Sequence, residues 1–389
     1  MQIDQFGTTG GEIVTDAANI ALTGAAAKFV DAAGKDVTTN IATITSAGAF
    51  SISGRTYTTV GNLTNNGALT VGAGSKFVVN GNLTNFSGTT LKGGTYAITG
   101  TLQFNGANIV NNAASITLTG ASSKIVDQTQ ANALANFANN MAGATFATAG
   151  TKSFTTAGAL ANAGTVKVGK GSTLTVGANK SYTQSAGTAT VDGTFGVTGA
   201  GQFNLNAGSV FGNGGTFTGN VVSGATFNVG DAVLKAGELG ITGAYRQSAA
   251  GSVAFDIGGL TADTLFDQFN ITGAATLGGT LNLDLINSFI PTIGSTFDIM
   301  NFASKTGSFA TINGTAINSS EHFQVVVNPT NITLDVVSGP SASQTTNFAS
   351  HPATNTPTPE PSSLLLMAGG LLAAVALYRR RLGKSSSYE

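Results

Sequence analysis

Short runs of alternating apolar and polar residues, separated by Gly- and Asn-rich turns, extend along most of the chain. In residues 61–80, Leu69 and Val71 alternate with small or polar residues, "GAGS" follows, and Phe77 and Val79 then alternate in the same way. This two-residue period predicts half-buried β-strands, while Gly and Asn suit tight turns. The pattern recurs at the pairs Val166/Val168, Leu174/Val176, Leu102/Phe104, Ile116/Leu118, Phe195/Val197 and Phe203/Leu205.

The chain also repeats itself at two lengths. The short repeat is marked by "GNLTN", which occurs at 61–65 and again at 81–85. Residues 10–31 and 106–127 are identical at 13 of 22 positions with an offset of 96, and the match continues between 61–75 and 158–172 with an offset of 97. A fixed period of this kind is typical of repeat architectures, and we expect the long repeat to contain about five short ones.

A 20-residue unit with two or three short strands suits one coil of a β-solenoid, whose coils stack in parallel about 4.8 Å apart. We therefore predict an all-β fold, a right-handed parallel β-helix. An antiparallel β-sandwich or meander is the alternative, which the fixed step disfavours. Asn65, Asn85 and Asn162 recur at equivalent positions, so we expect stacked asparagines to form hydrogen-bonded ladders.

The pattern changes near residue 245, where the alternating runs become longer and richer in Phe, Ile and Leu. We interpret 1–244 as the repeats and 245–338 as the final coils with a C-terminal cap, since an uncapped coil exposes an apolar face and a strand edge. "FDIGG", "DQFNITGAATLGGTL" and "GSTFDIM" occur here in that order. The region resembles the C-terminal end of the β-helical passenger regions of autotransporter-like bacterial surface proteins, which implies an extracytoplasmic β-helix.

Composition narrows the possible chemistry. Charged residues make up 9 %, cysteine is absent, and only His322 and His351 are available as imidazoles. We expect both to be solvated loop residues, His322 in a turn before a strand. We therefore predict no catalytic residue, no metal site and no cofactor. Glycoside hydrolysis needs two carboxyl groups on a groove, and Asp256, Asp263 and Asp267 are the densest group. We expect Asp256 to face outward and the other two to flank a turn.

The body of the chain carries little net charge. The formal charge is −1, and it is −4 without residues 379–389. The sequence shows no basic patch of the kind that nucleic-acid binding needs, so we predict no nucleic-acid partner. The opening residues "MQIDQFGTTGGEIV" do not form the basic and apolar segments of a secretory signal, and we expect the natural N-terminus to lie elsewhere.

The C-terminal residues predict a linker and a membrane segment. Residues 339–358 are rich in Pro, Ser, Thr and Asn, which favours a flexible spacer. Residues 362–378 carry no charge and would span about 25 Å as a short transmembrane helix. The basic tail 379–389 begins with the stop-transfer residues Arg379, Arg380 and Arg381, which the positive-inside rule places in the cytoplasm. The residues of this transmembrane segment would include Leu364, Leu365, Leu366, Gly369, Gly370, Leu371, Leu372, Val375 and Leu377.

The order Pro359-Glu360-Pro361, apolar helix and arginine cluster resembles the PEP-CTERM sorting domain of Gram-negative bacteria that produce exopolysaccharide. The resemblance implies processing by an exosortase, a membrane protease, after transient anchoring in the inner membrane. We therefore expect a non-enzymatic protein of the cell surface or extracellular matrix, with extracellular polysaccharide as a candidate partner. The alternative is a polysaccharide lyase or hydrolase on a β-helix scaffold.

Overall fold

A computed structural model describes residues 12–230 and 234–340, and in these residues every regular element is a β-strand. The strands form three faces. Most strands pair in parallel with the strand one coil further along the chain, as Thr145–Ala149 does with Thr165–Val168. This arrangement is that of a β-solenoid and excludes the antiparallel alternative for these coils. The hand of the coil stays a prediction.

The first face begins each coil and consists mainly of very short strands. Its strands are Thr15–Asp16, Thr43–Ile44, Thr64–Asn65, Asn139–Asn140, Leu160–Asn162, Tyr182–Gln184, Gln202–Leu205, Asn220–Ser223, Tyr245–Gln247, Ala274–Leu277 and Ser304–Gly307.

The second face runs through the described coils without a break. Two of its strands are long enough to bend onto the first face, and Phe86–Ser87 pairs antiparallel with one of them. Its strands are Asn19–Thr23, Ala49–Ser53, Ala68–Val71, Thr90–Ile98, Asn111–Thr119, Thr145–Ala149, Thr165–Val168, Thr188–Val191, Ser209–Gly212, Thr226–Val229, Ser252–Ile257, Thr280–Leu285 and Thr311–Asn313.

The third face is divided into two separate ladders. The first contains Thr56–Thr58, Lys76–Val78, Thr101–Gln103 and Lys124–Val126. The second contains Ser153–Thr155, Thr173–Thr175, Thr194–Gly196, Gly215–Thr218, Glu238–Thr242, Gln268–Ile271 and Thr296–Asn301, followed by Glu321–Val327 and Asn331–Ser338.

The last two strands form an antiparallel cap. Asn331–Ser338 pairs antiparallel both with Thr296–Asn301 and with Glu321–Val327. The edge of the last parallel strand of the third face is thereby covered, which reduces the exposed strand edge at this end of the solenoid. His322 lies within Glu321–Val327 rather than in a turn before a strand, and its Nδ1 is 2.9 Å from the Gly339 carbonyl oxygen. His351 lies outside the described residues.

The core follows the predicted alternation. All the apolar pairs named from the sequence are buried, including Leu69/Val71 and Phe77/Val79. Aromatic rings contact one another edge to face from coil to coil. The Phe203 ring lies 5.0 Å from both Phe195 and Phe217, centroid to centroid. Each such side chain contributes about 1.5–3 kcal/mol through burial.

Coil length varies more than the sequence repeat predicts. Leu63 lies beside Leu83, which confirms the predicted step at the repeated "GNLTN". On the second face, however, the step is much shorter between the paired positions Ser209 and Thr226 than between Thr280 and Thr311. The 96-residue duplication spans four coils rather than five, because two of its coils are lengthened by insertions.

Amide side chains link successive coils, as predicted. Asn65 donates its backbone N–H to Asn85 Oδ1 at 2.6 Å, and Asn85 Nδ2 returns a bond to the Asn65 carbonyl oxygen at 2.8 Å. A second ladder joins four consecutive coils through side chains, all at most 1 % exposed. Its members are Asn112, Asn140, Asn162 and Gln184.

Candidate functional site

The predicted sorting residues lie outside the described residues. This applies to Pro359, Glu360 and Pro361, to the helix predicted at 362–378, and to the arginines at 379–381. Within 12–230 and 234–340, the structure has no helix of the length and apolarity needed to cross a bilayer.

The carboxylates near residue 260 do come together. Asp256 and Asp284 occupy paired positions on neighbouring strands of the second face. Asp267 ends the loop that follows Ser252–Ile257. Its Oδ2 accepts the Asp256 N–H and its Oδ1 accepts the Gly237 N–H, both at 2.7 Å. Asp267 therefore links its own loop and the corner segment at Gly237 to the second-face strand that contains Asp256.

Asp256 and Asp267 are both buried, although Asp256 was expected to face outward. Asp256 is 6 % exposed and Asp267 is fully enclosed. Asp256 does occupy an outward position, as the alternation predicts, but the corner segment before Glu238 covers it. The backbone N–H groups of Leu234 and Lys235 bond to its carboxylate. Asp263 lies half-buried in a turn with φ of 66°.

Burial strongly perturbs both groups. It raises the pKa of Asp256 to about 7, with the Asp284 carboxylate adding to the effect. Burial likewise raises the pKa of Asp267 to about 9, despite its two backbone donors. Raised carboxyl pKa values also occur in acid catalysts. A fully enclosed Asp267, with both oxygens bonded to backbone, instead fits a structural role, because a catalytic carboxyl must contact its substrate.

We expect the free energy of unfolding to fall as pH rises from about 5 to about 9. Both folded-state pKa values lie above the ordinary 3.8. The stabilising contribution of protonation is therefore complete at pH values below the ordinary pKa of 3.8. It is lost as pH rises through the folded-state pKa values of about 7 for Asp256 and about 9 for Asp267. At about 1.4 kcal/mol per pKa unit, the decrease should be on the order of several kcal/mol. Urea unfolding at pH 5, 7 and 9 measures it.

Asp267→Asn should flatten this pH dependence. Asp127→Asn is the control, since hydrogen bonds from Thr129 and Ala131 lower the pKa of Asp127 and keep it ionised throughout this range. It should leave the decrease intact. An undiminished decrease in Asp267→Asn would show that other groups cause it.

Carboxylates and imidazoles do not form a metal site in the described part of the chain, where no group of three is arranged to hold an ion.

The structure does gather three lysines that sequence reasoning missed. Lys76, Lys124 and Lys152 line one open groove. The sequence did contain a signal for this lysine cluster, namely the distribution of charge along the chain. Residues 37–191 contain eight Lys or Arg and only one acidic residue, Asp127.

Comparison with known families supports the interpretation of the C-terminus. A family model described as the PEP-CTERM protein-sorting motif matches residues 357–381. The match contains Pro359-Glu360-Pro361, the apolar run and all three arginines. None of the curated proteins matches the chain. The motif supports an exported protein that an exosortase processes at the membrane. The matched residues follow the solenoid in the chain, so the match gives no information about the solenoid itself.

Proposed function

We propose that the protein is a non-enzymatic component of the cell surface or extracellular matrix, with a structural or adhesive role among exopolysaccharides. The observation that carries this proposal is the sorting motif at 357–381. In this proposal, the segment 362–378 anchors the chain in the inner membrane until the exosortase acts, and the solenoid is the part that is delivered. The likeness of residues 245–338 to autotransporter-like passengers supports the same setting.

The outer surface of the solenoid suits repeated contact with sugars. On the second face, one outward hydroxyl position is kept through ten consecutive coils, and strand spacing places successive hydroxyls about 4.8 Å apart. Hydroxyl groups both donate and accept hydrogen bonds, as sugar hydroxyls do. The row consists of Thr95, Ser115, Thr145, Thr165, Thr188, Ser209, Thr226, Ser252, Thr280 and Thr311.

The mature C-terminus tests the sorting step. In the native host, mass spectrometry of surface and medium fractions should find peptides that end near 359–363 and lack Arg379–Glu389. Glu360→Ala should retain the tail and accumulate in the membrane fraction, because the motif is altered. Asn355→Ala, in the preceding linker, should be processed like the parent. A tail that persists in the parent would show a plain anchor and contradict the proposal.

A polysaccharide lyase or hydrolase is the second candidate, favoured by the raised pKa values of Asp256 and Asp267. Their burial and backbone bonds count against it. Incubating the purified chain with polysaccharides and assaying released sugars separates the two functions. Release that Asp256→Asn abolishes, while its fold is retained, would replace the first proposal by the second.

A further inference from the structure

The three-lysine groove lies where the third face is interrupted. Lys124–Val126 ends the first ladder and Ser153–Thr155 begins the second, and the two strands do not pair with each other. Along the first ladder, Thr101 pairs with Lys76 on one side and with Lys124 on the other. The resulting cavity has a volume of about 560 Å³. The interruption thus opens a groove beside two aligned lysines.

Lys152 forms the far wall of this groove. It is 9 % exposed, and its Nζ donates to the Ser123 carbonyl oxygen at 2.5 Å. Burial removes part of the hydration of the Lys152 ammonium group and thereby lowers its pKa. A bound anion would replace part of that hydration and favour the charged form.

Opposing charge is scarce around the groove. Among the described residues, no Asp or Glu contributes to its lining. The one acidic residue between 37 and 191 is Asp127, whose Oδ1 accepts bonds from the Thr129 N–H, the Thr129 hydroxyl and the Ala131 N–H within its own turn. The lysines therefore create a local positive field on a body that is acidic overall.

The rest of the lining indicates which kind of anion fits. In the part of the chain that the structure describes, it consists of Gly, Ala, Ser and Thr from the coil corners and contains no aromatic side chain. Nucleic-acid bases would find no ring to stack on, whereas sugars would find hydroxyl groups. Lys76 and Lys124 are two strand spacings apart, roughly 9–10 Å, which suits charges repeated along an extended polymer.

We propose that this groove binds a carboxylate-bearing polysaccharide, with Lys76 and Lys124 contacting successive carboxylates and Lys152 supporting the groove wall. The proposal deepens the proposed surface function and rests on it for the choice of a polysaccharide. The two can fail separately, because binding is measured on purified full-length chain whereas sorting is measured at the mature C-terminus.

Binding of polygalacturonate at about 0.05 M salt tests the site, because low ionic strength leaves charge contacts poorly screened. Lys76→Gln with Lys124→Gln should weaken binding at least about tenfold, the equivalent of about 1.4 kcal/mol, and reduce its salt dependence. Lys92→Gln with Lys167→Gln removes the same charge outside the groove and should change binding less than about threefold. Lys76→Arg with Lys124→Arg should retain binding, which separates charge from folding effects. Neutral dextran should not bind.

Three outcomes would overturn the proposal. Equal losses in the two glutamine pairs would show a diffuse charge effect. No loss in either pair would show that polygalacturonate binds elsewhere or not at all. Double-stranded DNA binding as tightly as polygalacturonate, with the same sensitivity to Lys76 and Lys124, would show that the assigned ligand class is wrong.

Discussion

Replacing Asn140 by alanine should lower the free energy of unfolding by about 3 kcal/mol or more. Asn140 is 1 % exposed; it accepts a bond from Asn112 Nδ2 at 2.9 Å and donates to Asn162 Oδ1 at 2.8 Å and to the Thr165 carbonyl oxygen at 2.9 Å. Alanine leaves these buried partners without their bonds, at about 1–3 kcal/mol for each unsatisfied group. Urea unfolding followed by circular dichroism measures the loss.

Asn139 provides a matched control on the same two-residue strand. Its side chain lies on the outer side and donates to Asn111 Oδ1 at 2.8 Å in a half-buried position, where water can replace it. Asn139→Ala should therefore cost about 1 kcal/mol or less. Similar losses in the two variants would show that the internal amide ladder is not a special source of stability.

Gly187→Ala should destabilise the solenoid by about 3–5 kcal/mol. Gly187 has φ of 72°, and a Cβ there would overlap the carbonyl oxygen of Gly164 in the preceding coil. That oxygen accepts the Thr188 N–H at 2.8 Å, so a shift that relieves the overlap also disturbs the ladder. Positive φ alone costs alanine about 1–2 kcal/mol, and the overlap adds to it. Thermal and urea unfolding both measure the effect.

Gly214→Ala separates these two costs. Gly214 has nearly the same φ, 74°, but no atom lies within 4 Å of the position its Cβ would take. This variant should lose only about 1–2 kcal/mol, the cost of the backbone conformation. If both glycine variants lost the same amount, close contact between coils at Gly187 would not limit stability.

Local pattern was enough to predict the strands and the sorting segment. The apolar alternation at Phe195/Val197 and Phe203/Leu205 identified buried positions correctly, because in a strand every second side chain faces the core. The stacked Asn65 and Asn85 were likewise predictable from the short sequence repeat. The motif at 357–381 is contiguous in the chain and needs no folding to be identified.

The duplication was harder to interpret. Its four coils were predicted as five, because a repeat offset gives only the total length of the coils it contains. Insertions change individual coil lengths while the strands remain in register. Only the pairing of strands shows how many coils the duplication holds.

By itself, the sequence determined the all-β class, the inward-facing residues and the C-terminal sorting motif, since all three depend on neighbouring residues in the chain. Only the tertiary structure decided that Asp256 and Asp267 are buried, because the segment that covers Asp256, around Leu234 and Lys235, belongs to the corner of an earlier coil. It also decided that Lys76, Lys124 and Lys152 share a groove. These lysines belong to different coils, and stacking brings together residues that local pattern cannot connect.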